Sequence, residues 1–241
     1  MDVTSAPHDS SVISFDSVTR TYPTKSESVN ALDSVSFKVA QGSTVAVVGP
    51  SGSGKTTLLN MAAGLDFPTS GAVRVGGIVT TDLEREPLQK FRNEIVGVIF
   101  QQFFLIDHLS VFHNVMVPLI PREISSAEKS KRVLDSIAKV GLANKAARLP
   151  SELSGGELQR VAIARGLVGD ASVILADEPT GNLDSKRGGE IVGILVAESR
   201  ERHKTVLIAT HDLRVLDRVD GVVYLEDGRL SKIEGKGITI A

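Results

Sequence analysis

The chain has 241 residues, no cysteine, no tryptophan, 4% aromatic residues and a net charge of −2. That length suits one large domain or two small ones and buries enough surface to fold without staples, while zero cysteine excludes disulfides, thiolate metal sites and cysteine nucleophiles and fits a reducing compartment. The balanced charge excludes a global field drawing the chain to nucleic acid or anionic lipid, and the few aromatics weigh against base-stacking platforms for single strands.

In chain order, residues 1–14, MDVTSAPHDSSVIS, have neither a basic start nor an apolar core segment. They read as a flexible lead-in, not a signal peptide. SVISFDSV and ALDSVSFKVA alternate apolar and polar residues, as half-buried strands do. STVAVVG is a continuous β-branched run, the mark of a strand covered on both faces, and EIVGVIF, SVILAD, TVLIAT and GVVYLEDG are of the same kind. Between them lie helical stretches: GKTTLLNMAAGL, ISSAEKSKRVLDSIAKVG, GELQRVAIARGLVG and RGGEIVGILVAESRER. Gly64, Pro68 and Gly71 mark a loop, and Asp227 with Gly228 marks a turn. This alternation predicts an α/β fold: a mainly parallel sheet covered by helices, with an antiparallel β piece beside it. The region from Gln102 to Gly169 has no convincing strand and reads as a helical insertion. No apolar run approaches the roughly 18–20 residues of a membrane span.

GPSGSGKTT, from Gly49 to Thr57, follows a buried strand and opens a helix. It satisfies G-x-x-x-x-G-K-[ST] through Gly49, Gly54, Lys55 and Thr56. Glycines let successive N–H groups curl around phosphate oxygens, and the helix N-terminus adds its positive end. The expected nucleotide set is Gly49, Ser51, Gly52, Ser53, Gly54, Lys55, Thr56 and Thr57. Lys55 supplies charge to the terminal phosphates, and the Thr56 hydroxyl is placed to ligate magnesium. A second acidic element ends the strand SVILA. Asp177 is placed to hold magnesium, and Glu178 to orient and deprotonate an attacking water.

LSGGELQR, Leu153 to Arg160, opens a helix with two glycines, each costing roughly 1 kcal/mol relative to alanine. Ser154 as N-cap and Glu157 three residues on spell a capping box, which leaves Gly155 and Gly156 unexplained. Glycines there bare N–H groups at a positive helix end, suited to a second phosphate contact.

Taken together, these stretches resemble the ATPase subunit of an ABC transporter, over about Phe15 to Leu230. GPSGSGKTT matches its Walker A loop, LSGGE its signature, VILADEP its Walker B, FQQ its Q-loop through Gln101, GNLD its D-loop through Asp184, and ATHD its H-loop through His211. The resemblance implies a P-loop NTPase fold. A single ABC ATPase domain would span 15–241, with a nucleotide-binding core in 15–101 and 170–241 and a helical subdomain in 102–169. It implies ATP and Mg2+ as cofactors, with Glu178, His211 and Lys55 catalytic and Thr56, Gln101 and Asp177 near the metal. Two copies, or this chain and a homologous ATPase, would pair head to tail, so that Ser154, Gly155 and Gly156 reach the partner's ATP. Asp184 would lie at the seam, or cap the following helix. Tyr22 sits where the family stacks an aromatic on adenine, or else covers the sheet. Glu157 departs from the family's usual glutamine, which puts its role as a ligand in doubt and favours capping.

Phe100 and Phe112 read as core of the helical lobe, whereas Phe103 and Phe104 are candidates for a groove receiving a membrane partner's helix. GLDFPTSG and TGNLD look most like the lipoprotein-releasing and macrolide-exporting branch. That implies an integral membrane permease as partner, no nucleic acid, a place at the cytoplasmic face of the cell membrane, and lipoprotein, peptide or drug-like substrates. A cell-division ATPase whose partner regulates wall hydrolases is the alternative. A soluble ABC ATPase of ribosomes or DNA repair fits less well, because there is one cassette, no heptad arm and no strongly basic patch.

Overall fold

A computed structural model describes residues 11–23, 28–181 and 183–240; residues 1–10 of the expected lead-in lie outside them. The strands are β1 (Ser11–Pro23), β2 (Ser28–Ala40), β3 (Thr44–Val48), β4 (Ser70–Val75), β5 (Ile78–Val79), β6 (Val96–Ile99), β7 (Val173–Asp177), β8 (Thr205–Thr210), β9 (Gly221–Glu226), β10 (Arg229–Gly235) and β11 (Ile238–Thr239). The helices are α1 (Lys55–Ala62), α2 (Arg85–Glu94), α3 (Val111–Met116), α4 (Ser126–Lys139), α5 (Gly155–Leu167) and α6 (Ser185–Arg202).

The strands β3, β7 and β8 are buried at every position, as their unbroken apolar runs require. They lie in a six-stranded sheet of order β10-β9-β3-β8-β7-β6, in which only the β9–β10 pair is antiparallel. Its two faces feed two cores. Ala46, Val48, Ile174, Ala176, Val206 and Ile208 pack with α3, α4, α5 and α6, whereas Val45, Val47, Val173, Leu175, Leu207 and Ala209 pack with α1 and the second sheet. That second sheet, β11-β2-β1-β4-β5, is antiparallel throughout. Its alternation buries Phe15, Phe37 and Val73 against α1. This is the P-loop NTPase architecture, with the antiparallel β part beside the parallel core.

Two expectations are corrected. The lead-in does not extend to residue 14: β1 begins at Ser11, because the alternation already places Ile13 in the core at 0% exposure. Gly71 is not in a loop but inside β4, at φ +86, where an added Cβ would lie 2.4 Å from the Ser17 carbonyl oxygen. It serves a bulge where β1 and β4 shift register between Asp16 and Thr19. The turn at Asp227 and Gly228 joins β9 to β10, both residues having positive φ, as a two-residue hairpin requires.

Between β6 and β7 the described chain holds α3, α4, α5 and short 3-10 turns. Buried Asn114 organises the approach to α3: its amide nitrogen lies 2.9–3.2 Å from the carbonyl oxygens of Ile106, Leu109 and Ser110, and its oxygen accepts the Ile106 N–H at 2.8 Å. Replacing Asn114 with alanine strands these groups and is expected to lower unfolding free energy by about 2–3 kcal/mol. Urea titration checks this; an unchanged midpoint removes Asn114 as the clamp.

Candidate active site

The β3 carboxyl end leads into the phosphate loop, and α1 begins at Lys55 after Gly54, whose φ of +97 suits only glycine. No side chain caps that helix start, so its first N–H groups face the cleft unscreened. Glycine at 49 is also obligatory, since a Cβ there would meet the Leu225 carbonyl oxygen at 2.1 Å. The β9–β10 hairpin braces the loop from behind, Gly228 N–H donating to the Ser53 carbonyl at 3.2 Å. A cleft of about 460 Å³ opens in front of it, lined by Ala31, Ser51, Gly52, Gly54, Lys55, Thr56, Thr57, Gln101, Glu178 and His211. Lys55 is buried, its ammonium donating to the Gly49 and Pro50 carbonyls, each at 2.8 Å.

Glu178 lines the cleft, and Asp177 stands against its Thr56 wall, because β7 lies in register with β8, Asp177 opposite Ala209, and β8 with β3, Thr210 opposite Val48. The Thr56 hydroxyl donates to Asp177 Oδ2 at 2.9 Å, while Asp177 Oδ1 is buried with no hydrogen-bond partner. Burial pushes the Asp177 carboxyl above its ordinary value, opposed by the Thr56 hydrogen bond. An orphaned carboxylate oxygen, a hydroxyl and the Gln101 amide are hard oxygen donors, the set magnesium prefers. The residues fit that ion.

Glu178 sits at φ +46, a left-handed conformation that a side-chain-bearing residue adopts at a cost of about 1–2 kcal/mol. The strain is held by a ring of bonds. Its N–H donates to the Ala209 carbonyl at 2.8 Å, the Thr210 hydroxyl donates to Oε2 at 3.2 Å, and His211 Nδ1 lies 2.8 Å from Oε1. Glu178 is buried and His211 exposed, so the pair spans the cleft wall from core to solvent.

A family model described as ABC transporter matches residues 32–181. The chain belongs to the ABC transporter family. The macrolide export ATP-binding/permease protein MacB of Burkholderia thailandensis is 44% identical over 213 residues, covering 88% of this chain and 32% of that protein. The ABC transporter ATP-binding protein MJ0796 of Methanocaldococcus jannaschii is 42% identical over 227 residues, covering 92% and 97%. This chain thus spans about a third of its macrolide-export relatives and nearly all of MJ0796. The dimeric post-hydrolysis structure of MJ0796 bound to ADP and Pi superposes with a TM-score of 0.88 at 40% identity, covering 92% of this chain and 98% of that one. The cassette is an ATPase that binds ATP with Mg2+.

Not every expected site residue of this ABC ATPase joins the cleft. Gly49, Ser53 and Asp177 adjoin its lining residues without being among them, and Ser154, Gly155, Gly156, Asp184 and Tyr22 are absent from its walls. At the signature, Ser154 and Glu157 form the capping box, Glu157 Oε2 accepting the Ser154 N–H at 3.0 Å and Oε1 pairing with Lys145. Glu157 is thus spent on capping. Around Gly155 no atom would meet a Cβ within 4 Å, whereas one on Gly156 would meet Leu183 at 3.1 Å, so the signature turn packs on the D-loop of its own chain. Asp184 caps α6, accepting the Arg187 N–H at 3.0 Å; Asn182, in the same motif, lies outside the described residues. Tyr22 donates its hydroxyl to Asp66 at 2.5 Å.

At the cleft, Ala31 and Thr210 escaped the sequence reading. Ala31 lines the cleft without any chemical signature, and Thr210, which steadies Glu178, was legible only as the last polar residue before His211. Arg165 donates to the Phe103 and Phe104 carbonyls, each at 2.6 Å, leaving Phe104 61% exposed over a groove that Phe100 also lines. Phe112 is half-buried against the helical core.

The Lys145 ammonium, then the Ser154 N–H, hold the Glu157 carboxyl at about 2, below its usual 4.5. A depressed carboxylate stabilises the fold fully above 4.5, and that contribution fades as pH falls toward about 2. The stability difference between the parent chain and Glu157→Gln is therefore expected to be full at neutral pH and to shrink below 4.5. Urea midpoints measured across that range check it; a gap that is constant with pH means the carboxylate's charge contributes nothing.

Proposed function

We propose that this cassette supplies mechanical work to a membrane-embedded permease from the cytoplasmic face, for export or extraction of lipoprotein, peptide or drug-like molecules. Two copies pair head to tail around two ATP molecules. Each nucleotide lies between one copy's phosphate loop and the other's Ser154, Gly155 and Gly156, with Asp184 at the seam. The observation that carries this reading is the division of the motifs: the phosphate loop, Glu178 and His211 share one cleft, while the open signature turn at Gly155 contributes nothing to its walls. A bare helix start of that kind suits an anion presented from outside the chain.

Within each site the Walker A amides and Lys55 bind and orient the phosphates. Tyr22 stacks on adenine. Thr56, Asp177 and Gln101 hold the magnesium, which when bound supplies charge neutralisation on the phosphate oxygens. Glu178 accepts the proton of the attacking water, its carboxylate kept in place by Thr210 and His211. His211 also registers the terminal phosphate, and Gln101, at the mouth of the helical lobe, passes nucleotide state toward the Phe104 groove. That groove, about 460 Å³ and lined by Leu65, Val98, Phe100, Phe104, Ile106 and Pro118 among others, offers the permease an aromatic and aliphatic seat. Among the described residues no helix is long and apolar enough to cross a membrane.

Glu178→Gln removes the base but keeps shape. It is expected to preserve ATP-dependent pairing, read by light scattering, and to lower phosphate release about 10²–10⁴-fold; full turnover takes the base role from Glu178. Phe104→Ala is expected to weaken capture of the detergent-extracted permease about tenfold or more, with ATP affinity unchanged. Unchanged capture removes the groove as the seat.

A further inference from the structure

Tyr22 belongs to a cluster whose other members, Arg20 and Asp66, had no expected site role, although Asp66 lies in the GLDFPTSG stretch. The Arg20 guanidinium lies over its ring, 4.5 Å from the centroid, so one ring face is covered. The phenol donates to Asp66 Oδ2 at 2.5 Å, and Arg20 binds the same carboxylate through Nε to Oδ2 at 3.1 Å and a terminal nitrogen to Oδ1 at 2.7 Å. Asp66 is itself fixed. It stands in the turn that closes α1, its N–H donating to the Asn60 carbonyl at 3.3 Å and its Oδ1 accepting the Phe67 N–H at 2.8 Å. The helix that starts at the phosphate cradle therefore ends at the residue that grips the tyrosine. The strands give the second bearing: Tyr22 is paired with Val29, and Ala31, two residues along β2, lines the cleft. At strand spacing, Val29 stands about 7 Å from Ala31, at the rim of the nucleotide site.

We infer that Asp66 and Arg20 are positioning residues for the nucleobase: they lock the Tyr22 ring so that only the face turned away from Arg20 is open to adenine. The inference rests on the reading of Tyr22 as the adenine stack. A ring already fixed at its hydroxyl and on one face loses no further freedom when a base lands on it, which strengthens binding without touching the chemical step. Since stacking uses a π-face that every base has, the gain is the same for ATP and GTP. It is nil for a ligand without a base.

The test compares Asp66→Ala, Asp66→Asn, Arg20→Gln and Tyr22→Ala in the full chain, reading KM and kcat for MgATP and MgGTP and the inhibition constant of magnesium inorganic triphosphate. Asp66→Ala is expected to raise both nucleotide KM values by about five- to tenfold, with kcat and triphosphate inhibition within about twofold. Asp66→Asn, which keeps an acceptor for the phenol, is expected to recover most of that loss, and Asp66→Ala to add nothing in a Tyr22→Ala background. If Tyr22→Ala raises KM and Asp66→Ala does not, the positioning role falls and the stack stands. If Tyr22→Ala leaves KM unchanged, both fall. Should Asp66→Ala weaken inorganic triphosphate as much as ATP, the cluster is only a tie between β1 and α1, and the inference is overturned. Thermal melting confirms that each variant is folded. If Asp66→Ala is not, Arg20→Gln carries the same comparison, with a KM rise of about two- to threefold expected and no rise overturning the role of Arg20.

Discussion

The in-register parallel ladders of β6, β7, β8 and β3 set the nucleotide edge. Val48 stands opposite Thr210, Ala209 opposite Asp177, and Ala176 opposite Ile99. The loops leaving these strands therefore start at one level and converge, bringing the phosphate cradle, Glu178, the histidine and Gln101 to one crevice from positions as far apart as 51 and 211. Parallel sheets present their carboxyl ends together, and ligands bind there because helix starts and backbone N–H groups collect on the same side. A strand shifted by one residue would turn Asp177 or His211 away and leave the glycine loop with nothing opposite it.

The same topology explains why the signature turn stands apart. It opens α5, in the segment between β6 and β7, and is reached from the cleft through the D-loop. Glu178 and Leu183 are five positions apart, and Leu183 is the residue closest to Gly156. A strained Glu178 at one end and a glycine seat at the other are thus only a few residues apart along the chain, with Pro179 and Thr180 buried between them. In the proposed pair, the base that serves the water attacking one nucleotide is tied to the turn that touches the other. Glu157, which looks awkward beside phosphate when read as a ligand, is reconciled by its pairing with Lys145.

Most of the site was legible because phosphate chemistry constrains sequence tightly: Gly49, Gly54 and Lys55 are dictated by backbone approach and charge. The buried strands were equally plain, since two-sided burial leaves an unbroken apolar run. What escaped had weak local signals. The α2 helix buries only Phe91, α3 has six residues, and β4 opens with Ser-Gly, which reads as a turn until its bulge against β1 is seen. Ala31 and Asp66 escaped for another reason: their roles come from tertiary contact, which no local pattern around either residue announces. Tyr22 was singled out through the family resemblance alone, and the carboxylate that grips it lies 44 positions away.

The central strands carry apolar side chains on both faces, so hydrophobicity alone scarcely distinguishes the native pairing of β3 or β8 from one slipped by a residue: either would leave valine, leucine and isoleucine in both cores. Alignment has to come from polar punctuation at the strand ends. Thr44 N–H donates to Asp220, Gly42 N–H to the Thr205 hydroxyl, and Thr56 to Asp177. Aliphatic exchange within these strands is therefore a matter of volume, open to drift so long as the space is filled. The few hydroxyls and carboxylates at their tips act as the alignment marks of the whole machine, including those that a catalytic survey would pass over.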